Sequence, residues 1–214
     1  MNTNEQGKGI LIVLSGFSGA GKGTLVRKLL DTYEEYTLSV SMTTRSPREG
    51  EVGGVHYFFT DRAHFEEQIA GNGLVEYAEY CGNYYGTPRA YVEEQLAAGR
   101  HVILEIEIQG ALQIKKLFPE SLLLFVTPPS AAELARRLKG RGTETDEVIA
   151  KRLARAGEEA EGIEAYDYIV INDDLDVCVE ELHRIVQAAA AAPVRRETFI
   201  NQIREELKGF AKGE

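Results

Sequence analysis

The stretch ILIVLSGFSGAGKGT, residues 10–24, decides the fold. Its first half, ILIVLSG, is a continuous apolar run of the kind that forms a strand buried on both faces of a parallel sheet. A glycine-rich turn follows at once. From Thr24 the run TLVRKLLDTY sets Leu25, Leu29 and Leu30 among basic residues, which predicts a helix opening directly out of the turn. Strand, glycine loop and helix in that order build a phosphate cradle. Glycines let the loop wrap closely, backbone N–H groups along Gly16, Phe17, Ser18, Gly19, Ala20, Gly21, Lys22, Gly23 and Thr24 face the phosphates, and Lys22 reaches the β and γ oxygens. The run departs from GxxxxGK[ST], because Gly23 stands where a magnesium-binding hydroxyl normally sits and Thr24 comes one residue late. Thr24 is therefore expected to donate to an α-phosphate, with Mg²⁺ held by nucleotide oxygens and water.

Composition limits what this cradle serves. Of 214 residues, 34 are acidic and 24 basic, giving a formal charge of −10, which opposes a long nucleic-acid footprint but allows a small phosphorylated ligand on a local basic cluster. With 43% hydrophobic and 27% charged residues the chain has material for a core, which argues against disorder. No apolar run approaches the roughly 20 residues that cross a bilayer, and 10–14 is too short for a signal-peptide core. A cytoplasmic enzyme or binding module fits. Cys81 and Cys178 lie far apart with no metal-ligand spacing, so idle or buried thiols are expected.

Outward from the cradle, TLSVSM reads as a short strand, TTRSPREGEVGG as a loop and VHYFFT as a strand. A short helix over 63–70 and strands through LVEYAEY and GNYYG complete a small, largely β insertion. Thr87 before Pro88 reads as a helix start, with the helix ending at Gly99. Then HVILEIEI is a strand, QGALQIKKLF a helix, LLLFVTP a strand and SAAELARRLKGR a helix; a helix over about 146–165, a strand YDYIVIN and a helix over 175–190 follow. This alternation predicts an α/β fold, a parallel sheet covered by helices on both faces. After Pro193 a terminal helix carries Phe199, Ile203, Leu207 and Phe210 near one face. It is read as packing on its own core in preference to serving as a docking arm for a second subunit.

Charged residues supply the rest. Glu105 ends the apolar run HVILE and is the magnesium-side candidate, acting through metal-bound water, with Glu107 on the same strand face. Arg45 and Arg48 lie beside Thr43 and Thr44 on a Gly/Pro-shaped loop, suited to bidentate capture of a second phosphate. A denser set, Arg136, Arg137, Lys139, Arg141, Lys151, Arg152 and Arg155, has Gly140 and Gly142 around Arg141 as possible hinges and reads as a lid that closes on phosphates. Its alternative is a solvated basic helix balanced by Glu144, Asp146 and Glu147.

The motifs SGFSGAGKGT, SVSMTTRSPREGEVGGVHYFF, GNYYGTPR, LEIEIQGA, RRLKGRGTETDEVIAKRL and YDYIVINDDLD, in that order, resemble guanylate kinases over about residues 9–190. The resemblance implies a P-loop core at 1–38 and 88–192 with a helical lid at about 134–157 and a GMP-binding insertion at 39–87, and the C-terminal helical tail at 193–214, read from the pattern after Pro193, lies beyond it. It implies that Arg45, Arg48, Tyr57 and Tyr85 surround the GMP phosphate, that Ser41, Glu76, Thr87 and Glu107 read guanine, and that Asn172 lies near the adenine of ATP. The implied reaction is Mg²⁺-dependent transfer from ATP to GMP, giving ADP and GDP, with charge stabilised by Lys22, Arg45, Arg137, Arg141 and Arg152. Phe17 replaces the usual Pro, and Glu105 and Glu107 stand where Asp is frequent. Another P-loop kinase with a different acceptor, or a scaffold domain that binds peptides, are the competing readings, and the sequence leaves monomer or homo-oligomer open.

Overall fold

The computed structural model describes residues 8–80, 82–140 and 145–211. At its centre β2 (Tyr36–Leu38), β7 (His101–Glu105), β1 (Leu11–Gly16), β8 (Leu122–Thr127) and β9 (Tyr168–Ile171) lie in that spatial order, every neighbour parallel. Side chains alternate across β1. Ile12 and Leu14 join Leu25 and Leu29 of α1 (Lys22–Thr32) and Leu182 and Val186 of α7 (Leu175–Ala190). Val13 faces the other way, toward Val92 of α3 (Arg89–Ala97) and Ile114 of α4 (Ile108–Leu117). Burying each such side chain stabilises by roughly 1.5–3 kcal/mol, so these two layers fix where β1 ends and its loop begins.

A second sheet lies between β2 and α3 in the chain. It is ordered β4 (Phe58–Phe59), β3 (Met42–Thr43), β6 (Asn83–Pro88), β5 (Leu74–Tyr80). Helix α2 (Arg62–Ala70) supports it through Phe65, fully buried and stacked on Tyr84 at 5.1 Å. The Asp61 side chain accepts from His64 N at 2.8 Å and so starts α2. Helices α5 (Ala131–Gly140) and α6 (Asp146–Ala160) form a third, smaller unit whose Leu134, Leu138, Ile149 and Ala156 pack together and against Phe17 of the glycine loop.

Several expectations change. The run TLSVSM divides between two sheets: Ser39 N donates to Ile103 O in the central sheet, whereas Ser41 O accepts from Phe58 N in the second. Alternation has the same period in both strands, so the pattern cannot register the change of sheet. Thr87 is no helix cap. It lies in β6, paired with Glu76, and α3 starts at Arg89. The strand expected at VHYFFT contracts to Phe58–Phe59, because His56 N bonds back to Val52 O in a turn. Helix α1 begins at Lys22, two residues before Thr24, and α6 stops at Ala160, followed by a 3₁₀ turn at Ile163–Ala165. Helix α8 (Glu197–Ala211) forms, but its apolar face is exposed, so the expected packing on the core does not occur. Cys178 is a buried free thiol, as read; Cys81, Arg141, Gly142 and Glu144 lie outside the described residues.

Candidate active site

The loop after β1 takes its shape from backbone that only glycine tolerates. A Cβ on Gly16 would meet Val126 O at 2.1 Å, and Gly21, at φ +91°, would put one 2.6 Å from the Asn172 amide nitrogen. Asn172 is buried and its amide donates to Ala20 O at 2.8 Å, so it braces the loop from the sheet side. Lys22 folds over the loop, donating to Gly16 O at 2.6 Å and Phe17 O at 3.1 Å. Arg152 reaches Ser18 Oγ at 2.8 Å from α6. Arg137 is held by Glu133 at 2.7 Å and touches Ala20 O at 3.4 Å. Three of the cations read from sequence thus gather on one loop, resting on neutral oxygens or a neighbouring carboxylate. Arg141, another cation read from sequence, falls outside the described residues.

Two cavities meet there. One, of about 330 Å³, is lined by Ser18, Gly19, Gly21, Lys22, Gly23, Thr24, Arg27 and Glu105. The other, of about 550 Å³, runs from Ser18, Lys22 and Glu105 to Ser39, Ser41, His56, Tyr57 and Glu107. Ser18, Lys22 and Glu105 line both, which marks the junction between them. Register sets Glu105 there, since β7 pairs it with Leu14 just before the loop. Desolvation pushes the Glu105 carboxyl upward while Lys22 pulls it down, although the residue keeps solvent access through the open cleft. A Cβ on Gly23 would stand 4.0 Å from Glu105 Oε2, so this one hard oxygen donor faces the position that lacks a hydroxyl. No group of three or more His, Cys, Asp or Glu able to hold a metal occurs among the described residues. This donor set fits a hydrated Mg²⁺ that takes most of its ligands from phosphate and water.

On the second sheet, Glu76 is 7% exposed, and its Oε1 accepts from Thr87 Oγ1 at 2.6 Å. Burial pushes its carboxyl up, partly offset by that hydrogen bond. Gly110 makes room for it, because a Cβ there would come within 3.2 Å of Glu76 Oε2. Nearby, Arg45 forms a bidentate pair with Glu51 at 2.8 and 3.0 Å, lies 5.4 Å from the Tyr57 ring, and Tyr57 and Tyr85 meet edge to face at 6.1 Å. Arg48 is exposed, joined to Glu51 through its backbone N–H at 2.7 Å. Glu107 accepts from Arg155 at 2.5 Å, tying α6 to the end of β7.

Ser41, Tyr57, Glu105, Glu107, Lys22 and Arg152 therefore share one cleft. Gly110, Glu51, Ser39, Arg27 and the Glu107–Arg155 pair escaped the sequence reading of the site. Only Gly110 carried a usable signal: a glycine inside an otherwise helical run, with no turn to explain it, points to a close neighbour.

A glycine loop leaving the central strand of an all-parallel sheet, with Arg137 and Arg152 of α5 and α6 against it and a second polar cavity beside it, defines a P-loop kinase. The chain belongs to the guanylate kinase family, whose model matches residues 8–189. Among its relatives, a guanylate kinase of Desulfitobacterium hafniense (strain Y51) is 51% identical over 92% of this chain and 98% of its own length. One of Bacillus subtilis (strain 168) is 54% identical over 85% and 89%. The crystal structure of guanylate kinase from Anaplasma phagocytophilum superposes with a TM-score of 0.71 at 34% identity, covering 88% of this chain and 90% of the other.

Proposed function

We propose that this chain transfers the γ-phosphoryl group of ATP to GMP, giving ADP and GDP in purine nucleotide metabolism, with residues 1–38 and 88–192 receiving ATP and 39–87 receiving GMP. The observation that carries the acceptor is Glu76, a buried carboxylate facing Gly110 and balanced by Thr87. Guanine presents N1–H and N2–H₂ side by side, and one carboxylate accepts both; Ser41 and Thr87 supply hydroxyls, and Glu107 stands at the rim. Adenine has no such donor pair and would leave the desolvated carboxylate mismatched, which is how a polar site rejects an analogue by orders of magnitude.

The remaining roles follow charge. Backbone N–H groups of residues 16–24 cradle the ATP phosphates, Thr24 meets the α-phosphate and Asn172 lies on the adenine side. Lys22 exchanges carbonyl partners for phosphate oxygens, a stronger charge-assisted pairing. Arg45 and Arg48, with Tyr57 and Tyr85, take the GMP phosphate. Arg137, Arg141 and Arg152 of the lid, about 134–157, complete the positive shell around the transferring group. Glu105 would hold a hydrated Mg²⁺ through a bound water, and the ion would supply charge neutralisation to the ATP phosphates. Closing α5 and α6 over the junction expels water and protects ATP from hydrolysis. We place the reaction in the cytoplasm, with no long nucleic acid as partner; no described helix is long and apolar enough to cross a membrane.

The test mixes the protein with ATP and Mg²⁺ and, separately, GMP, AMP, CMP, UMP and dTMP, following ADP. Release with GMP alone supports the whole reading. Release with another acceptor overturns the role of Glu76, and ATP binding without release for any acceptor overturns the kinase reading.

A further inference from the structure

Ser39 lines the larger cavity together with Leu38, Ser41 and Glu107. It is 6% exposed, and its Oγ is closed to solvent with no hydrogen-bond partner among the described residues. No other described hydroxyl in that state lines either cavity. Buried hydroxyls are almost always paired, so one left open at a cleft calls for a partner that the chain itself does not supply. The backbone holds Ser39 in place. Its N–H donates to Ile103 O at 2.9 Å, continuing the pairing of β2 with β7, while Ser41, two residues on, bonds Phe58 of the second sheet. The orphaned hydroxyl therefore stands where the chain passes from the central sheet into the second, and rotation about one side-chain bond turns Oγ toward the cleft.

On the reading of GMP as acceptor, on which this inference rests, guanine turns N1–H and N2–H₂ to Glu76 and leaves two hydrogen-bond acceptors, O6 and N7, along its other edge. Thr87 has already spent its one hydroxyl proton on Glu76 Oε1, so toward guanine its oxygen can only accept. Ser41 supplies one proton, to O6. One acceptor is left over, and so is one hydroxyl proton in the cleft. We propose that Ser39 is a further base-reading residue, donating from Oγ to N7 of the acceptor guanine. Ser39 and Ser41 are two residues apart and line the same cavity, so the pair matches two neighbouring acceptors on one base edge. Because Oγ is already out of water, the contact requires no further desolvation, whereas a base without N7 leaves the donor open. N7 is common to purines. Ser39 thus selects purine over pyrimidine, and Glu76 selects guanine over adenine.

The test measures steady-state turnover of the full chain at saturating ATP, with GMP and with 7-deaza-GMP, in which C–H replaces N7, for wild type and Ser39→Ala. In wild type the analogue should raise KM roughly 3- to 10-fold, the loss of one neutral hydrogen bond. Ser39→Ala should raise KM for GMP by a similar factor with little change in kcat or in KM for ATP, and should make GMP and 7-deaza-GMP equivalent. Its ligand-free thermal midpoint should equal or exceed that of wild type, because the group removed has no partner in the protein. An unchanged KM for GMP in Ser39→Ala, or a rise of equal size for both acceptors, overturns the contact. A lowered midpoint overturns it as well, by showing that the hydroxyl is paired inside the fold. Wild type that fails to phosphorylate GMP overturns the acceptor reading and this contact with it; the other failures leave GMP phosphorylation intact and fall on Ser39 alone.

Discussion

The phosphate loop and the second sheet manage charge in opposite ways. At the phosphate loop, Lys22 touches the Gly16 and Phe17 carbonyls and Arg152 the Ser18 hydroxyl, while Arg137 is paired with Glu133. On the second sheet an anion, Glu76, which lines neither cavity, is taken out of water and given one hydroxyl. Cations on carbonyls can turn to any phosphate, because every phosphate offers the same oxygens. A desolvated carboxylate instead penalises every ligand that cannot satisfy it. In the proposed reaction the phosphate loop would supply the electrostatic strength and the second sheet the selectivity.

The largest effect separating the two regions is expected from Lys22→Ala. Turnover should fall on the order of 10²–10³-fold, while GMP binding by calorimetry stays as it was; wild-type turnover would sink the assignment of the phosphate loop. Glu76→Gln should act in the reverse sense. Loss of hydrogen bonds to a charged acceptor, about 1.5–3 kcal/mol, lowers kcat/KM for GMP roughly 10- to 100-fold and leaves ATP affinity unchanged.

The same variant has a stability signature. Burial raises the pKa of Glu76 in the folded state, so its carboxylate costs stability fully above that folded pKa, and the cost disappears as pH falls to the unfolded value. Glu76→Gln should therefore melt above wild type at pH 8, with the gap narrowing toward pH 4.5. Equal melting at both pH values would contradict the desolvated carboxylate.

Gly110→Ala should cost about 1 kcal/mol by overpacking and raise KM for GMP several-fold with little change in that for ATP, since its Cβ would crowd Glu76 Oε2 at 3.2 Å. The smallest effect concerns Arg45. Hydrogen bonds from Arg45 and the Arg48 backbone hold Glu51 down to about 2, so this contribution is complete above the unfolded value and is lost as pH falls toward 2. Amide protection factors, which remove the intrinsic pH dependence of exchange, should fall in residues 43–60 over that window in wild type and by less in Glu51→Gln.

How much was legible depended on distance along the chain. The cradle was readable because Gly16, Gly21, Lys22 and the ends of β1 and α1 are contiguous, and the buried strands showed as unbroken apolar runs such as LLLFVT. The split of TLSVSM was hidden, because a residue's alternation does not reveal which sheet supplies its hydrogen bonds. Thr87 carried a misleading signal: before proline it resembles a cap, whereas its hydroxyl is committed to Glu76 across β5 and β6.

By itself the sequence determined a parallel α/β layer with a phosphate loop on its first strand, since apolar periodicity, glycine φ and helix entry are local properties. Resemblance extended that to a family and its residues. Only tertiary structure decided that Glu76, Thr87 and Gly110 converge, that Glu51 holds Arg45, that Asn172 braces the loop, and that the apolar face of α8 remains outside the core. Each depends on elements far apart in the chain and on how much water their packing removes, and desolvation is a property of the assembled fold that no local run of residues specifies.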